Sequence, residues 1–172
     1  MSVNLRFYGA VREIGGGKTV LQYDGTTILL DFGMDFLAGS DHFNDRVKPA
    51  SYLEVRDYLH FGTLPPLAGL YPAAQRRFLE QEFGTALEPG DVSGILLSHG
   101  HIDHVGFLPL VDTSVPLYCS AQTLEVLRYF DEIGQFDFHM DQRHVTVLEP
   151  GKSVPIGNCE VVPILSDHDV LG

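Results

Sequence analysis

Three histidines and an aspartate fall within six positions of the stretch SHGHIDHVGF, Ser98 to Phe107. Imidazole nitrogen and carboxylate oxygen are both ligands of zinc, so the spacing H-x-H-x-D-H can supply several ligands from one short segment. If this segment leaves a strand, His99 and His101 can face one side while Asp103 and His104 face another. The pattern therefore predicts two adjacent half-sites, and two metals about 3.5–4 Å apart can together stabilise a displacement at phosphorus.

A competing interpretation is that these four polar side chains only decorate a solvated loop. The preceding segment, Val92 to Ser98, is strongly apolar and is typical of a short buried strand. The cluster would then follow the end of a buried strand, where a concentration of potential ligands is unusual for a solvated loop. Gly100 and Gly106 would leave room for backbone and substrate to approach. Metal binding is therefore the favoured interpretation.

The elements around this segment follow from hydrophobic periodicity and turn residues. Ser120 is the predicted N-cap of a long amphipathic helix and Gly134 its predicted stop. A further helix is predicted to start within Val105 to Leu110. The other predicted helices are Ala50–His60, Ala73–Phe83 and Ala121–Ile133, and the other predicted strands are Val3–Tyr8, Lys18–Tyr23, Thr26–Phe32, Val115–Ser120, His144–Leu148, Ser153–Ile156 and Cys159–Leu165. Strands mixed with helices in this order predict sheets with helices outside them.

The charge and composition limit the function classes. A net charge of −12 argues against a protein that holds nucleic acid by a general basic surface, although it does not exclude a nuclease that uses metal ions. The sequence lacks a signal-peptide pattern and a run of about 18 apolar residues, so we expect no membrane association and a cytoplasmic location. Cys119 and Cys159 lie in apolar strand-like segments and are predicted to be buried thiols.

The motif HGHIDH matches the H-x-H-x-D-H motif of the metallo-β-lactamase superfamily. This resemblance implies an α+β fold, the αββα sandwich, with the metals at one edge. Asp31, which the stretch ILLDFGM places at the end of the third predicted strand, resembles the acidic residue that orients the metal loop by hydrogen bonding in that superfamily. His168, in PILSDHDV, resembles a later ligand, so that His99, His101 and His168 would hold the first metal. Asp103 and His104 would start the second.

The opening GAVREIGGGKTVLQYDGTTILLDFGM is similar to the start of RNase J and related β-CASP nucleases. The resemblance implies a binuclear zinc phosphodiesterase or ribonuclease that acts on RNA with a metal-bound hydroxide, with Mn²⁺ as an alternative ion. Asp103 would be the catalytic residue, because it would orient the hydroxide besides ligating. A phosphate-loop interpretation of GGGKT fails, because the pattern needs glycine where Arg12 stands.

Two other functions remain open. Glyoxalase-like thioesterases and lactonases share the full H-x-H-x-D-H motif, and the acidic charge favours a small ester, thioester or lactone as substrate. A third alternative is a non-catalytic metal-binding module that uses the segment from Met34 to Asp91 as a partner surface. That segment, at about 34–91, is predicted to be an insertion or lid within one domain spanning 1–172.

The resemblance covers the N-terminal portion of the family's length. The family pattern contains a bridging Asp and a further His after the position of His168, and this chain continues for only four residues beyond it. We therefore expect the chain to hold one metal well rather than two, and to have weak activity or none by itself. A truncated sandwich should also expose an apolar face, which the remaining C-terminal region or a homo-oligomer would cover.

The remaining ionisable residues have simpler interpretations. His42, His60, His139 and His144 lack ligand spacing and are predicted to be surface or core-edge histidines, although His42 beside Asp41 could line the mouth of the site. Asp35 and Asp41 are predicted to be loop or cap residues. Asp167 or Asp169 could accept the second ring proton of His168.

Overall fold

Six strands form the main sheet: β1 (Asn4–Tyr8), β2 (Lys18–Tyr23), β3 (Thr26–Leu30), β4 (Gly94–Leu96), β5 (Leu117–Cys119) and β6 (Val145–Val147). This computed structural model describes residues 2–11, 14–34, 54–166 and 168. The strands lie side by side in chain order. The first three are antiparallel neighbours, whereas β3 to β6 pair in parallel. The carboxyl ends of β3 and β4 therefore meet at one edge of the sheet.

The other elements are a small hairpin and the helices. The hairpin consists of β7 (Val154–Ile156) and β8 (Cys159–Val161), and the α-helices are α1 (Glu54–His60), α2 (Ala73–Phe83), α3 (Ile102–Val105) and α4 (Ala121–Glu132). Short 3₁₀ helices cover Ala68–Leu70, Gly84–Ala86 and Leu108–Leu110. This mixed architecture confirms the predicted α+β class. No helix within the described ranges is both long and apolar enough to cross a membrane.

One face of the main sheet forms the core. Val20, Leu29, Ile95 and Leu117 lie opposite one another across neighbouring strands, and all four are fully buried. They belong to the same apolar cluster as buried side chains of the helices, including Leu127 of α4. Burial of this kind stabilises the sheet by about 25 cal/mol per Å² of apolar surface. The helical layer on this face therefore holds the strand ends in fixed positions.

The opposite face of the sheet is largely open. Leu5, Phe7 and Leu30 on this face are 48%, 61% and 38% exposed. The tip of the β7–β8 hairpin covers only a part of it, where the backbone N–H of Asn158 donates to Thr26 Oγ1 at 2.7 Å. An exposed apolar sheet face of this extent is typical of a surface that packs against further protein.

Most predicted elements are confirmed to within one or two residues. Helix α2 has the predicted bounds, and Ser120 caps α4 by accepting a hydrogen bond from the backbone N–H of Thr123 at 3.1 Å. The helix predicted to start within Val105 to Leu110 is wrong in position, because α3 already begins at Ile102, inside the histidine motif. The final predicted strand is too long, because β8 ends at Val161.

The two cysteines differ in burial. Cys119 is fully buried on the core face of β5, as predicted, and burial raises the pKa of its thiol to about 12. Cys159 is only half-buried, so the prediction of a buried thiol is wrong for this residue. It stands at the start of β8 in the two-stranded hairpin, outside the six-stranded main sheet.

The described part of the 34–91 segment packs into the core. Val55, Leu70 and Tyr71 are fully buried, and the Tyr71 hydroxyl donates to the carbonyl of Pro65 at 2.6 Å. The first part of the predicted helix Ala50–His60 lies outside the described residues, and Glu54–His60 is helical. The interpretation of this segment as an insertion or lid stays a prediction.

Candidate metal centre

The histidine motif follows β4 at the edge where the parallel strands end. Leu97 separates the strand from Ser98 and His99, and the motif then turns into α3, which contains Asp103 and His104. Asp31 follows β3 and is adjacent to Ser98, because β3 and β4 run in parallel register. The sheet thus brings together residues that are 67 positions apart in the sequence.

Three histidines form the tightest cluster of potential ligands. His99 Nε2 lies 2.9 Å from His101 Nδ1, and the rings of His99 and His168 are 4.9 Å apart between centroids. One ring nitrogen from each of the three histidines lies within 4.8 Å of the others. A tetrahedral zinc ion holds nitrogen ligands at about 2.0–2.1 Å from the metal and so roughly 3.4 Å from one another. The nitrogen–nitrogen distances in the cluster, from 2.9 Å up to at most 4.8 Å, include that value, so these residues fit a zinc ion.

Asp103 and His104 form a second, smaller group beside the first. His104 Nε2 lies 3.5 Å from Asp103 Oδ2, and the His104 ring centroid is 4.1 Å from that of His99. Within the described ranges, the three-histidine cluster is the only set of three potential ligands that close together. The structure therefore brings all five predicted ligands to one place, with three donors in one group and two in the other.

Asp31 binds both the start of the motif and its end. Its Oδ1 accepts the backbone N–H of Ser98 at 2.7 Å, and its Oδ2 accepts from the Ser98 hydroxyl at 2.8 Å. The same Oδ2 lies 2.8 Å from His104 Nδ1. Asp31 has a φ of 59°, a left-handed conformation that is strained for most residues but less so for Asp and Asn. Strain of this kind is concentrated at functional sites.

The environment moves the pKa values of two of the histidines in opposite directions. Burial, followed by the nearby charges of His104 and His101, lowers the pKa of His99. The hydrogen bond to Asp31 is the largest cause that raises the pKa of His104. A lowered pKa keeps His99 neutral near pH 7, and only the neutral imidazole has a nitrogen lone pair free to ligate a metal.

A glycine turn before β2 and a buried lysine support α3 through contacts that the sequence did not predict. The backbone N–H of Gly16 donates to the Asp103 carbonyl at 3.1 Å. The ammonium group of Lys18, which is 1% exposed, donates to the carbonyls of Gly16 at 2.5 Å and Gly33 at 2.9 Å. Lys18 therefore joins the glycine turn to the segment that follows β3. Each of these segments contacts Asp103, the turn through Gly16 and the second segment through Gly33.

The two glycines of the motif serve packing rather than substrate access. A Cβ atom on Gly100 would lie 2.8 Å from a methyl carbon of Val126 in α4. A Cβ atom on Gly106 would lie 2.6 Å from the Ile102 carbonyl oxygen and 2.7 Å from Met34 Cβ. The prediction that these glycines leave room for substrate is therefore wrong, because protein atoms occupy that space.

The other predicted ionisable residues lie away from the cluster or outside the described residues. His60 contacts Glu82 at 3.1 Å and His139 contacts Asp137 at 2.8 Å, while His144 is exposed beside β6. The predictions for Asp35, Asp41, His42, Asp167 and Asp169 concern positions outside the described residues.

A cavity of about 410 Å³ lies next to the motif. Its walls come from the ends of β4, β5 and β6 and from Pro163–Leu165, the segment that leads to His168. Ser98 belongs to its wall, so the cavity and the histidine cluster are adjacent. The lining is mainly apolar, and the described residues that form it include no lysine or arginine.

Comparisons with known proteins identify the family and support the fold. A family model described as a β-lactamase superfamily domain matches residues 65–171, more than half of the chain. A protein of unknown function from Enterococcus faecalis has a similar solved structure, with a TM-score of 0.67 and 23% identity over 93% of this chain and 36% of that chain. This likeness supports the fold. Together with the family match, it confirms the predicted metallo-β-lactamase fold.

Relatives of this chain include a ribonuclease and a transcription termination factor. Ribonuclease J from Methanocaldococcus jannaschii is 23% identical over 160 residues, which are 91% of this chain and 31% of that protein. The transcription termination factor FttA from Thermococcus kodakarensis is 24% identical over 146 residues, which are 83% of this chain and 17% of that protein. The chain thus spans less than a third of the length of these relatives.

Proposed function

Because the chain belongs to the β-lactamase superfamily, we propose that it is the core of a zinc-dependent hydrolase that cleaves RNA phosphodiester bonds. The observation that carries this proposal is the cluster of His99, His101 and His168, with Asp103 and His104 beside it. The similarity to ribonuclease J supports RNA as the substrate. The cytoplasmic location expected from the sequence stays a prediction.

The proposed roles follow from the positions of the side chains. His99, His101 and His168 would hold the first metal, and Asp103 and His104 would contribute to the second, with Zn²⁺ as the expected ion and Mn²⁺ as the alternative. A bound divalent metal supplies a Lewis acid that lowers the pKa of water and stabilises charge on phosphate oxygens. Asp103 is half-buried and its Oδ2 lies 3.5 Å from His104 Nε2, where the carboxylate would orient the attacking water.

The acidic charge restricts how RNA would bind. With a net charge of −12, the chain has no excess of cations to neutralise a long phosphate backbone. Affinity for RNA would therefore depend on the metal centre and on protein that covers the open face of the sheet, either further chain or a second copy. We expect the isolated chain to be only weakly active for this reason and because, among the described residues, the second group has two donors.

A second candidate substrate is a small ester, thioester or lactone. The observation that favours it is the apolar cavity of about 410 Å³ beside Ser98, which has no cationic group among the described residues of its wall. Such a cavity suits an uncharged organic group better than a phosphate, because burying an unpaired phosphate charge is costly.

RNA cleavage by the purified protein tests the proposal. With Zn²⁺ or Mn²⁺ present, we expect a labelled single-stranded RNA to be cut, and we expect Asp103→Asn to lower the rate by about 100-fold or more, since positioned acid–base groups contribute 10²–10⁴-fold. Asp141→Asn is the matched control, because Asp141 is exposed and remote from the motif. Gel analysis of the products gives both rates.

The same preparation is also assayed with a thioester and a lactone. Intact RNA together with hydrolysis of either small substrate would contradict the RNA proposal and favour the second candidate. Retained zinc with no hydrolysis of any substrate would instead favour a non-catalytic metal-binding module.

A further inference from the structure

The hydroxyl of Ser98 lies between a carboxylate and a histidine. Ser98 Oγ is 2.8 Å from Asp31 Oδ2 and 2.9 Å from His99 Nδ1. His99 itself is 6% exposed, and its other ring nitrogen, Nε2, faces His101. Ser98 thus contacts the side of the His99 ring that points away from the cluster.

The direction of each hydrogen bond follows from the number of hydrogens. An ionised carboxylate accepts only, and a serine hydroxyl has one hydrogen. Two oxygen atoms 2.8 Å apart repel unless a hydrogen lies between them, so the Ser98 hydroxyl donates to Asp31. Its oxygen then accepts from His99 Nδ1, which must hold the ring hydrogen. The Nε2 lone pair of His99 is consequently directed into the cluster.

The Asp31 carboxylate contacts His104 directly, with no serine hydroxyl between the two groups. His104 Nδ1 is 2.8 Å from Asp31 Oδ2, so this nitrogen holds a hydrogen and donates it. When His104 is neutral, its lone pair is then on Nε2, the atom 3.5 Å from Asp103. Asp31 therefore orients one histidine in each group, His104 directly and His99 through Ser98.

We propose that Ser98 is a positioning residue that fixes His99 in the Nδ1–H tautomer and couples it to Asp31. This inference rests on the proposed metal site but not on the choice of substrate. Its consequence is an asymmetry between two substitutions. Removing the Ser98 hydroxyl takes away the Nδ1 partner of His99, whereas His104 loses only a longer contact of 3.3 Å and keeps Asp31 at 2.8 Å. Changing Asp31 disturbs His99 and His104 together.

The first measurement uses the metal-free protein labelled with ¹⁵N on its histidines. Correlation spectra of ring nitrogens and carbon-bound hydrogens distinguish the two neutral tautomers. At a pH high enough to keep both imidazoles neutral, we expect the Nδ1–H pattern for both His99 and His104 in the parent protein. Ser98→Ala should change the pattern of His99 and leave that of His104, while Asp31→Asn should change both. Asparagine is chosen because it tolerates the left-handed backbone of residue 31.

The second measurement is zinc affinity, determined by competition with a chromophoric chelator. Loss of a partner of this kind lowers metal affinity by about 10–100-fold, and we expect that loss in Ser98→Ala. Ser98→Thr keeps a hydroxyl and should restore the affinity to within about threefold of the parent. Ser120→Ala is the matched control, since Ser120 caps α4 at the same edge without a hydrogen bond to any histidine among the described residues.

The outcomes separate this inference from the proposed function. Ser98→Ala with the parent's His99 spectrum and the parent's zinc affinity would overturn the role of Ser98. A parent protein that binds no zinc but shows the expected tautomer changes would contradict the metal site and leave the Ser98 relay intact. If Ser98→Ala loses zinc and Ser98→Thr does not recover it, a general disturbance of the loop explains the loss, and the inference is wrong.

Discussion

Replacing His101 with alanine is expected to lower the zinc affinity of the protein on the order of 10³-fold. Binding of structural zinc is worth about 10–16 kcal/mol, so removal of one of three protein ligands should cost several kcal/mol. His101 is the best position for this test because it is half-buried, whereas His99 is buried and its truncation would leave a cavity. Chelator competition at constant pH measures the effect.

His144→Ala is the control for this substitution. It also removes one imidazole, but from an exposed position beside β6 and outside the cluster. We expect its zinc affinity to equal that of the parent. An affinity of His101→Ala within about threefold of the parent would show that His101 is not a ligand, and the first half-site would have to be reassigned.

Replacing Gly33 with alanine is expected to destabilise the protein much more than the same substitution at the neighbouring Gly17, because Gly33 packs against α3. The new Cβ would lie 1.6 Å from the Asp103 carbonyl oxygen and 2.3 Å from its carbonyl carbon. Both are backbone atoms, so no side-chain rotation relieves the overlap. The chain after β3 would have to separate from α3 and lose the hydrogen bonds of Phe32 to His104 and of Met34 to Ile102. We expect unfolding free energy to fall by about 3 kcal/mol or more.

Urea unfolding of Gly33→Ala and Gly17→Ala tests this expectation. Gly17 belongs to the adjoining turn, but a Cβ there would meet only the Ala10 methyl group at an ordinary 3.5 Å. Gly17→Ala should therefore change the unfolding free energy by less than about 1 kcal/mol. A loss below 1 kcal/mol in Gly33→Ala would contradict the close contact between the two backbones.

The sequence predicted the strands and long helices well because each carries its own periodic pattern. Strand β2 and helix α2 have the predicted bounds, and Ser120 caps α4. Helix α3 was missed because a four-residue helix is too short to show a helical period. The end of β8 was extended too far because the apolar run continues to Leu165 although the strand pairing stops at Val161.

The sequence predicted which residues form the site, but it did not predict which residues hold them in position. The H-x-H-x-D-H spacing and the resemblance it carries identified five candidate ligands and Asp31, and the structure places them together. The roles of Ser98 and Lys18 depend on strands that become neighbours only in the fold, since Ser98 meets a residue 67 positions away. No local pattern marks such contacts, and the buried position of Lys18 runs against the usual exposure of lysine.

The central claim is that the three-histidine cluster is a metal centre, and a zinc titration of the metal-free protein tests it most directly. Zinc content is measured by mass spectrometry after gel filtration, on the monomeric fraction. We predict one tightly held zinc ion per chain, with a second ion lost on the column because Asp103 and His104 supply only two donors among the described residues. A protein that retains no zinc, or that retains two ions with equal affinity, would contradict the account.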